Sequence, residues 1–257
     1  MNADPRHLKS LAREDVNTEK SSATGAHGFF ETLLRRFRTF SFLLLLSPLV
    51  VVCCGAIGLA AAPGLYWFNL LSEHTANWPL VLHYVAMGFA LSSAYFIYGV
   101  CLVFVVPAVN FLMPFRIHAF RGPWFSLPAI PWYIHNALTY MVRYTFLEFI
   151  TPTPLNVLFY RMMGMKIGRG VVINTTHISD PCLITIGDSA TIGGSATIFA
   201  HYGQKGYLII APVTIGEGAN IGLKASIMGG VTVGKNATVK PHSVLLPTAV
   251  VADGETI

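Results

Sequence analysis

From Ile167 onward an aliphatic residue returns every six positions, and no other feature of this 257-residue sequence restricts its fold as tightly. The series runs Ile167 and Ile173, then Ile186, Ile192 and Ile198, then Ile209, Ile215, Ile221, Ile227, Val233, Val239, Leu245 and Val251. A second series lies four places later, at Val171, Ala190, Ala196, Val213, Ala219, Ala225, Val231, Ala237, Ser243 and Ala249. Glycine follows the aliphatic residue directly at Gly168, Gly187, Gly193, Gly216, Gly222 and Gly234. A period of six fits neither an amphipathic helix, which repeats near 3.6, nor one long strand, which repeats at two. Three short strands per coil satisfy it. Each hexad then forms one face of a triangular prism, with its aliphatic residue inward, its small residue near a corner, and glycine permitting the turn. Stacked coils bury a continuous aliphatic column.

The register slips twice. Between Ile173 and Ile186 thirteen positions replace twelve, and between Ile198 and Ile209 eleven replace six. The second slip reads as a five-residue insertion extruded as a loop, FAHYGQKGYL, which carries His201. Loops on a rigid scaffold are common sites of function.

The N-terminal half is of another kind. The whole chain is 53% hydrophobic and only 11% charged, outside the soluble globular norm. No Asp, Glu, Lys or Arg stands between Arg38 and Glu73 or between Glu73 and Arg116, and each gap exceeds the roughly 20 residues that span a bilayer. Two transmembrane helices are predicted, from about Phe40 to Ala62, where Pro63-Gly64 interrupts the first, and from about Trp78 to Val106, before Pro107. Phe29, Leu33, Phe37 and Phe40 share one face of a preceding amphipathic helix suited to the membrane surface. Residues 1–27 read as a disordered tail, 28–115 as the amphipathic and transmembrane segment, 116–165 as an interfacial linker with one helix from Ile134 to Ile150, and 166–257 as the β-helix. Arg35, Arg36, Arg38, Arg116 and Arg121 flank the helices while SEHTAN between them has no Lys or Arg, so both termini and the β-helix are expected on the cytoplasmic side. The net charge of +5 comes from residues beside apolar segments, which favours anionic lipid over nucleic acid. Cys53, Cys54, Cys101 and Cys182 show neither metal-ligand spacing nor a disulfide framework.

Taken together, IGDSAT, IGGSAT, IGEGAN, IGLKAS and VGKNAT resemble the hexapeptide-repeat acyltransferases, in particular the maltose and galactoside O-acetyltransferase type. The resemblance covers about residues 160 to 257. It implies a left-handed parallel β-helix, a homotrimer with clefts between subunits, and acetyl-CoA or another acyl-CoA as co-substrate. His201 matches the position of the general base. The hexad with Gly222, Leu223 and Lys224 matches the coenzyme side, with the Leu223 amide as an oxyanion or thioester contact and with Lys224 and Lys240 near the coenzyme phosphates. Pro241, one coil beyond Leu223, has no N–H where relatives use one. In NTTHISDP, Asn174 and Asp180 match residues that bind the acceptor or orient the imidazole, whereas His177 and His242 read as ordinary surface histidines. With membrane helices attached, the expected acceptor is lipid-linked, such as a glycan.

Three alternatives stay open. The helices and aromatic linker also resemble the terminal region of polylysine-synthetase-like peptide synthetases, which implies an amine acceptor and a carrier-bound donor. A γ-type carbonic anhydrase shares the β-helix but needs a second histidine five places beyond His201, where Gly206 stands; no metal is expected. An inactive scaffold is the third.

Overall fold

The computed structural model describes residues 25–124 and 126–257, so most of the tail expected over residues 1–27 lies outside the described residues. Helix α1 (Gly25–Arg36) exposes Phe29 and Leu33 of the predicted face, together with Phe30, and ends in Arg35 and Arg36; Phe37 and Phe40, expected on the same face, lie beyond its end. Helices α2 (Arg38–Thr75) and α3 (Leu80–Leu112) follow, each long and apolar enough to cross a membrane. Both run further than expected. Pro63 does not interrupt α2 and Pro107 does not end α3. A proline removes one N–H, but in an apolar run the neighbouring backbone groups have no better partner than the helix itself. The pair packs closely: a Cβ on Gly64 would lie 2.7 Å from the Ala94 carbonyl oxygen, and Trp67 Nε1 donates to Ser93 Oγ at 2.7 Å.

The linker is a packed layer. Strand β1 (Phe120–Pro123) is followed by helix α4 (Ile130–Thr145), a 3-10 turn at Leu147–Ile150 and helix α5 (Pro154–Met162). The helix expected from Ile134 to Ile150 therefore starts earlier, with Pro131 in its first turn, and stops at Thr145. It buries Ile134, Leu138 and Val142 on one side and packs against α2 and α3.

From Lys166 the chain winds into three parallel faces. The first stacks β2 (Lys166–Ile167), β5 (Ile184–Ile186), β10 (Val213–Ile215), β13 (Thr232–Val233) and β16 (Val250–Val251). The second stacks β3 (Val172–Ile173), β6 (Thr191–Ile192), β11 (Asn220–Ile221) and β14 (Thr238–Val239). The third stacks β4 (Ile178–Ser179), β7 (Thr197–Phe199), β12 (Ser226–Ile227) and β15 (Val244–Leu245). All pairings between these strands are parallel, in agreement with the left-handed β-helix the resemblance implies. Ile173, Ile192, Ile221 and Val239 line up in register on one face at 0–1% exposure, and Ala190, Ala196, Ala219, Ala225 and Ala237 are equally buried.

The glycines act differently from the reading above. The left-handed turn lies three places after the aliphatic residue in most hexads, at Gly170, Ser189, Ser195, Gly218, Lys224, Gly230, Asn236, His242, Thr248 and Gly254. The glycines directly after the aliphatic residue are not at positive φ; they are sites of contact between coils. A Cβ on Gly187, Gly193, Gly216 or Gly222 would come within 2.4–2.7 Å of the next coil's backbone. Gly216→Ala, 2.6 Å from the Gly234 carbonyl carbon, is therefore expected to destabilise by about 3 kcal/mol, the upper end of ordinary overpacking. Gly58→Ala, with nothing within 4 Å, should cost nothing. Thermal midpoints of the two variants check this, and equal midpoints would refute it.

Candidate active site

The two slips in the rhythm meet at one corner of the prism, between its third and first faces. In the first coil, Ile178 pairs with Ile198 and is fully buried, so it is the third-face residue missing from the sequence series. The chain then crosses to β5 through Asp180, whose backbone is left-handed (φ 59, ψ 49), and a 3-10 turn at Pro181–Leu183. In the next coil the chain leaves β7 and rises into strands β8 (His201–Gln204) and β9 (Tyr207–Ile210) before re-entering at β10. Lys205 and Gly206, both at positive φ, make the two-residue turn of this hairpin. The inserted segment is thus longer than the five residues read from sequence, because Ile209 belongs to the hairpin and Ile215 is the next residue of the column. It is also no free loop: β1 from the linker pairs antiparallel with β9.

Stacking the slips brings Asp180 and His201 together. Asp180 Oδ2 lies 2.5 Å from His201 Nδ1, and Oδ1 accepts from Asn136 Nδ2 at 2.9 Å. Asp180 is 0% exposed; a carboxylate there is costly unless its oxygens are paired, and each has a donor. The imidazole is fixed by rings as well, edge-on to Trp132 at 4.9 Å and tilted against Phe199 at 5.4 Å. A carboxylate accepts only, so the neutral ring carries its proton on Nδ1 and presents the Nε2 lone pair. Nε2 has no hydrogen-bond partner among the described residues. His201 lines a cavity of about 370 Å³ with Trp124, Phe199, Tyr202, Gly203, Gln204, Met228 and Pro247.

Neighbouring titratable groups are set apart from this role by burial. It pushes His135 down to about 4, against the pull of Asp180's charge, so that ring is neutral at physiological pH. It pushes the Cys182 thiol up to about 12, with Asp180 adding to the rise, so no thiolate competes as nucleophile.

The remaining sequence candidates gather at a different corner, between the second and third faces. Asn174, Gly194 and Leu223 stack in successive coils: a Cβ on Gly194 would meet Leu223 Cδ1 at 3.1 Å and Asn174 Nδ2 at 3.5 Å. Asn174 lines a polar cleft of about 130 Å³ with Glu148 and Thr176, apart from His201. Leu223 is 48% exposed, and its N–H makes no hydrogen bond among the described residues while its carbonyl accepts from His242 N. Gly222 packs on Pro241, and Lys224 and Lys240 are exposed. One chain therefore holds the imidazole at one corner and the expected coenzyme contacts at another.

Sequence reasoning missed Asn136, Trp132 and Trp124. Asn136 is 44 residues from Asp180. The only available signal was a polar residue on the apolar side of a helix.

Residues 212–240 match the family model described as the hexapeptide repeat of succinyl-transferase. Over 169 residues, 65% of this chain, the sequence is 25% identical to a delta-poly-L-ornithine synthetase of Acinetobacter baumannii; the chain spans 12% of that relative's length. Similar solved structures include a hexapeptide-repeat-containing acetyltransferase from Vibrio cholerae, at 20% identity, 46% of this chain, 82% of that one and a TM-score of 0.38. A maltose O-acetyltransferase from Clostridium difficile 630 matches at 18% identity, 53% of this chain, 89% of that one and a TM-score of 0.36. With the six-residue rhythm matched by a family model and visible as stacked triangular coils, the chain from Lys166 onward is a hexapeptide-repeat β-helix.

Proposed function

We propose that this chain is a membrane-anchored acyltransferase whose general base is His201. The observation that carries the reading is the buried Asp180 carboxylate 2.5 Å from His201 Nδ1 at the edge of a cavity. Nε2 takes the proton of an acceptor hydroxyl or amine as that atom attacks the thioester carbonyl of acetyl-CoA or another acyl-CoA. The tetrahedral intermediate collapses with loss of the C–S bond, and the imidazolium returns its proton to the departing thiolate. The developing oxyanion needs a fixed N–H, and the unpartnered Leu223 amide is suited to it. Leu223 and His201 stand on different corners, so the complete site forms between subunits of a homotrimer. Lys224 and Lys240, exposed beside Leu223, would face the coenzyme phosphates, with Gly222 allowing close approach. Asn174 would contact the acceptor there.

Helices α2 and α3 hold the protein in the membrane, with the β-helix on the cytoplasmic side. Asp180 and His201 belong to the first two coils, those nearest the linker, and Trp132 of α4 touches the imidazole. The acceptor is accordingly lipid-linked, such as a membrane glycan.

A second reading is favoured by one finding. The 169-residue match to the polyornithine synthetase is longer than the β-helix and must include part of the helices or linker. An amide-forming reaction would use the same base on an amine. The test is to give the purified full chain, reconstituted in lipid vesicles, labelled acetyl-CoA with a membrane glycolipid extract, and in parallel an ornithinyl thioester with free ornithine. Label in the lipid fraction is the expected result. Transfer only from the ornithinyl thioester would replace the first reading with the second, and transfer from neither would sink both.

A further inference from the structure

We propose that Asn136, on the linker helix α4, is a positioning residue for the catalytic imidazole and acts through Asp180. The inference rests on the acyltransferase reading for its consequence in catalysis, but its geometry stands independently. Asn136 Nδ2 donates to two acceptors, the Trp132 carbonyl one turn earlier at 3.0 Å and Asp180 Oδ1 at 2.9 Å. Both are acceptors only, so the amide cannot be turned round without setting its own oxygen against them. Its Oδ1 is buried without a partner. The side chain thus leaves one polar atom unsatisfied in order to present its NH₂ to the carboxylate.

This donor has a definite effect. Asp180 Oδ1 has no other donor among the described residues, and Oδ2 is taken by His201. With Asn136 in place the carboxylate plane is held at both ends, and Oδ2 is directed at Nδ1. Without it the carboxylate is free to rotate, and the imidazole loses its fixed orientation toward the cavity. The neighbouring residue ties the same turn of helix to α3: His135 Nδ1 lies 3.1 Å from Asn110 Oδ1. Further along α4, Tyr140 OH and Ser179 Oγ are 2.8 Å apart, next to Asp180. The support for the base therefore comes from outside the β-helix, from a helix braced on the membrane-anchoring segment.

Asn136→Leu in the reconstituted full chain tests this. Acyl transfer from acetyl-CoA is expected to fall about 10- to 100-fold in kcat, the range for losing a hydrogen bond to a charged group, with KM for donor and acceptor unchanged. In an Asp180→Asn background the same substitution should cost nothing and recover part of the lost rate, since Asn136 is the donor that turns the new amide's NH₂ toward Nδ1. Nitrogen-15 spectra of labelled histidine, with His201 assigned by difference from His201→Ala, give a readout without turnover. The wild type should show the Nδ1–H form and Asn136→Leu a mixture of forms. An unchanged His201 signal, or equal losses in both backgrounds, would overturn the proposal. If the wild type transfers no acyl group, the function above fails, and the imidazole signal still decides whether Asn136 positions the ring.

Discussion

His201→Ala is expected to lower acyl transfer by about 10²- to 10⁴-fold, the usual contribution of a general base. The structure gives reason to expect this loss without collapse. His201 begins β8, whose backbone pairs with β9, and β9 is in turn held by β1; removing the imidazole cuts none of those ladders. The deleted ring leaves Asp180 Oδ2 without its donor, a local cost, while the aliphatic column on the other side of the coil is untouched. Initial rates and oligomer size of the vesicle-reconstituted variant check the expectation. Full turnover by an intact oligomer would remove His201 from the mechanism.

Asp180→Asn should be comparably severe, on the order of 10⁴-fold, although it changes one atom. In serine proteases the equivalent exchange costs about that much because the histidine takes the wrong tautomer. The same outcome is forced here by Asn136. Its NH₂ draws the new amide's oxygen, which turns the new NH₂ toward Nδ1. Nδ1 must then accept, the ring proton moves to Nε2, and the atom that should take the acceptor's proton already holds one. Stability should change little, because the substitution also removes a buried charge. The measurement is kcat alongside the thermal midpoint; a rate within a few-fold of wild type would show that the carboxylate has no part in orienting the base.

How much of this was legible beforehand follows from what kind of contact each feature needs. The prism is a local rhythm, repeated many times, and the aliphatic series identified its core from Ile186 to Ile198 and from Ile215 to Val251. The positions of the slips also showed in the sequence, and with them His201 and Asp180. Their contact was one of two roles the resemblance offered Asp180, and the rhythm alone could not choose between them, because Ile178 was absent from the series and the two slips could not be assigned to one corner. Ile209 fell into the six-residue rhythm by chance while serving the hairpin, so the insertion read too short. The glycines were seen but given the wrong task, since a close approach between coils leaves the same mark in a sequence as a turn. Pro63 and Pro107 ended the helices early because local propensity carries no knowledge of a helix's surroundings. Asn136 depends on a contact across 44 residues and had no periodic trace.

The apolar cluster that begins at Ala60 and includes Leu102, Val106, Leu138, Phe146, Phe159 and Tyr160 continues unbroken to Val251. Among the described residues this apolar contact runs without a break from the two long helices through the linker into the β-helix. Such a protein has no interchangeable modules: a chimera with foreign helices in place of α2 and α3 would remove the Gly99 surface against which Phe146 packs, and the loss would reach the imidazole by way of α4. A substitution where α3 meets α4 and α5 therefore calls for a compensating one on the other side of that contact.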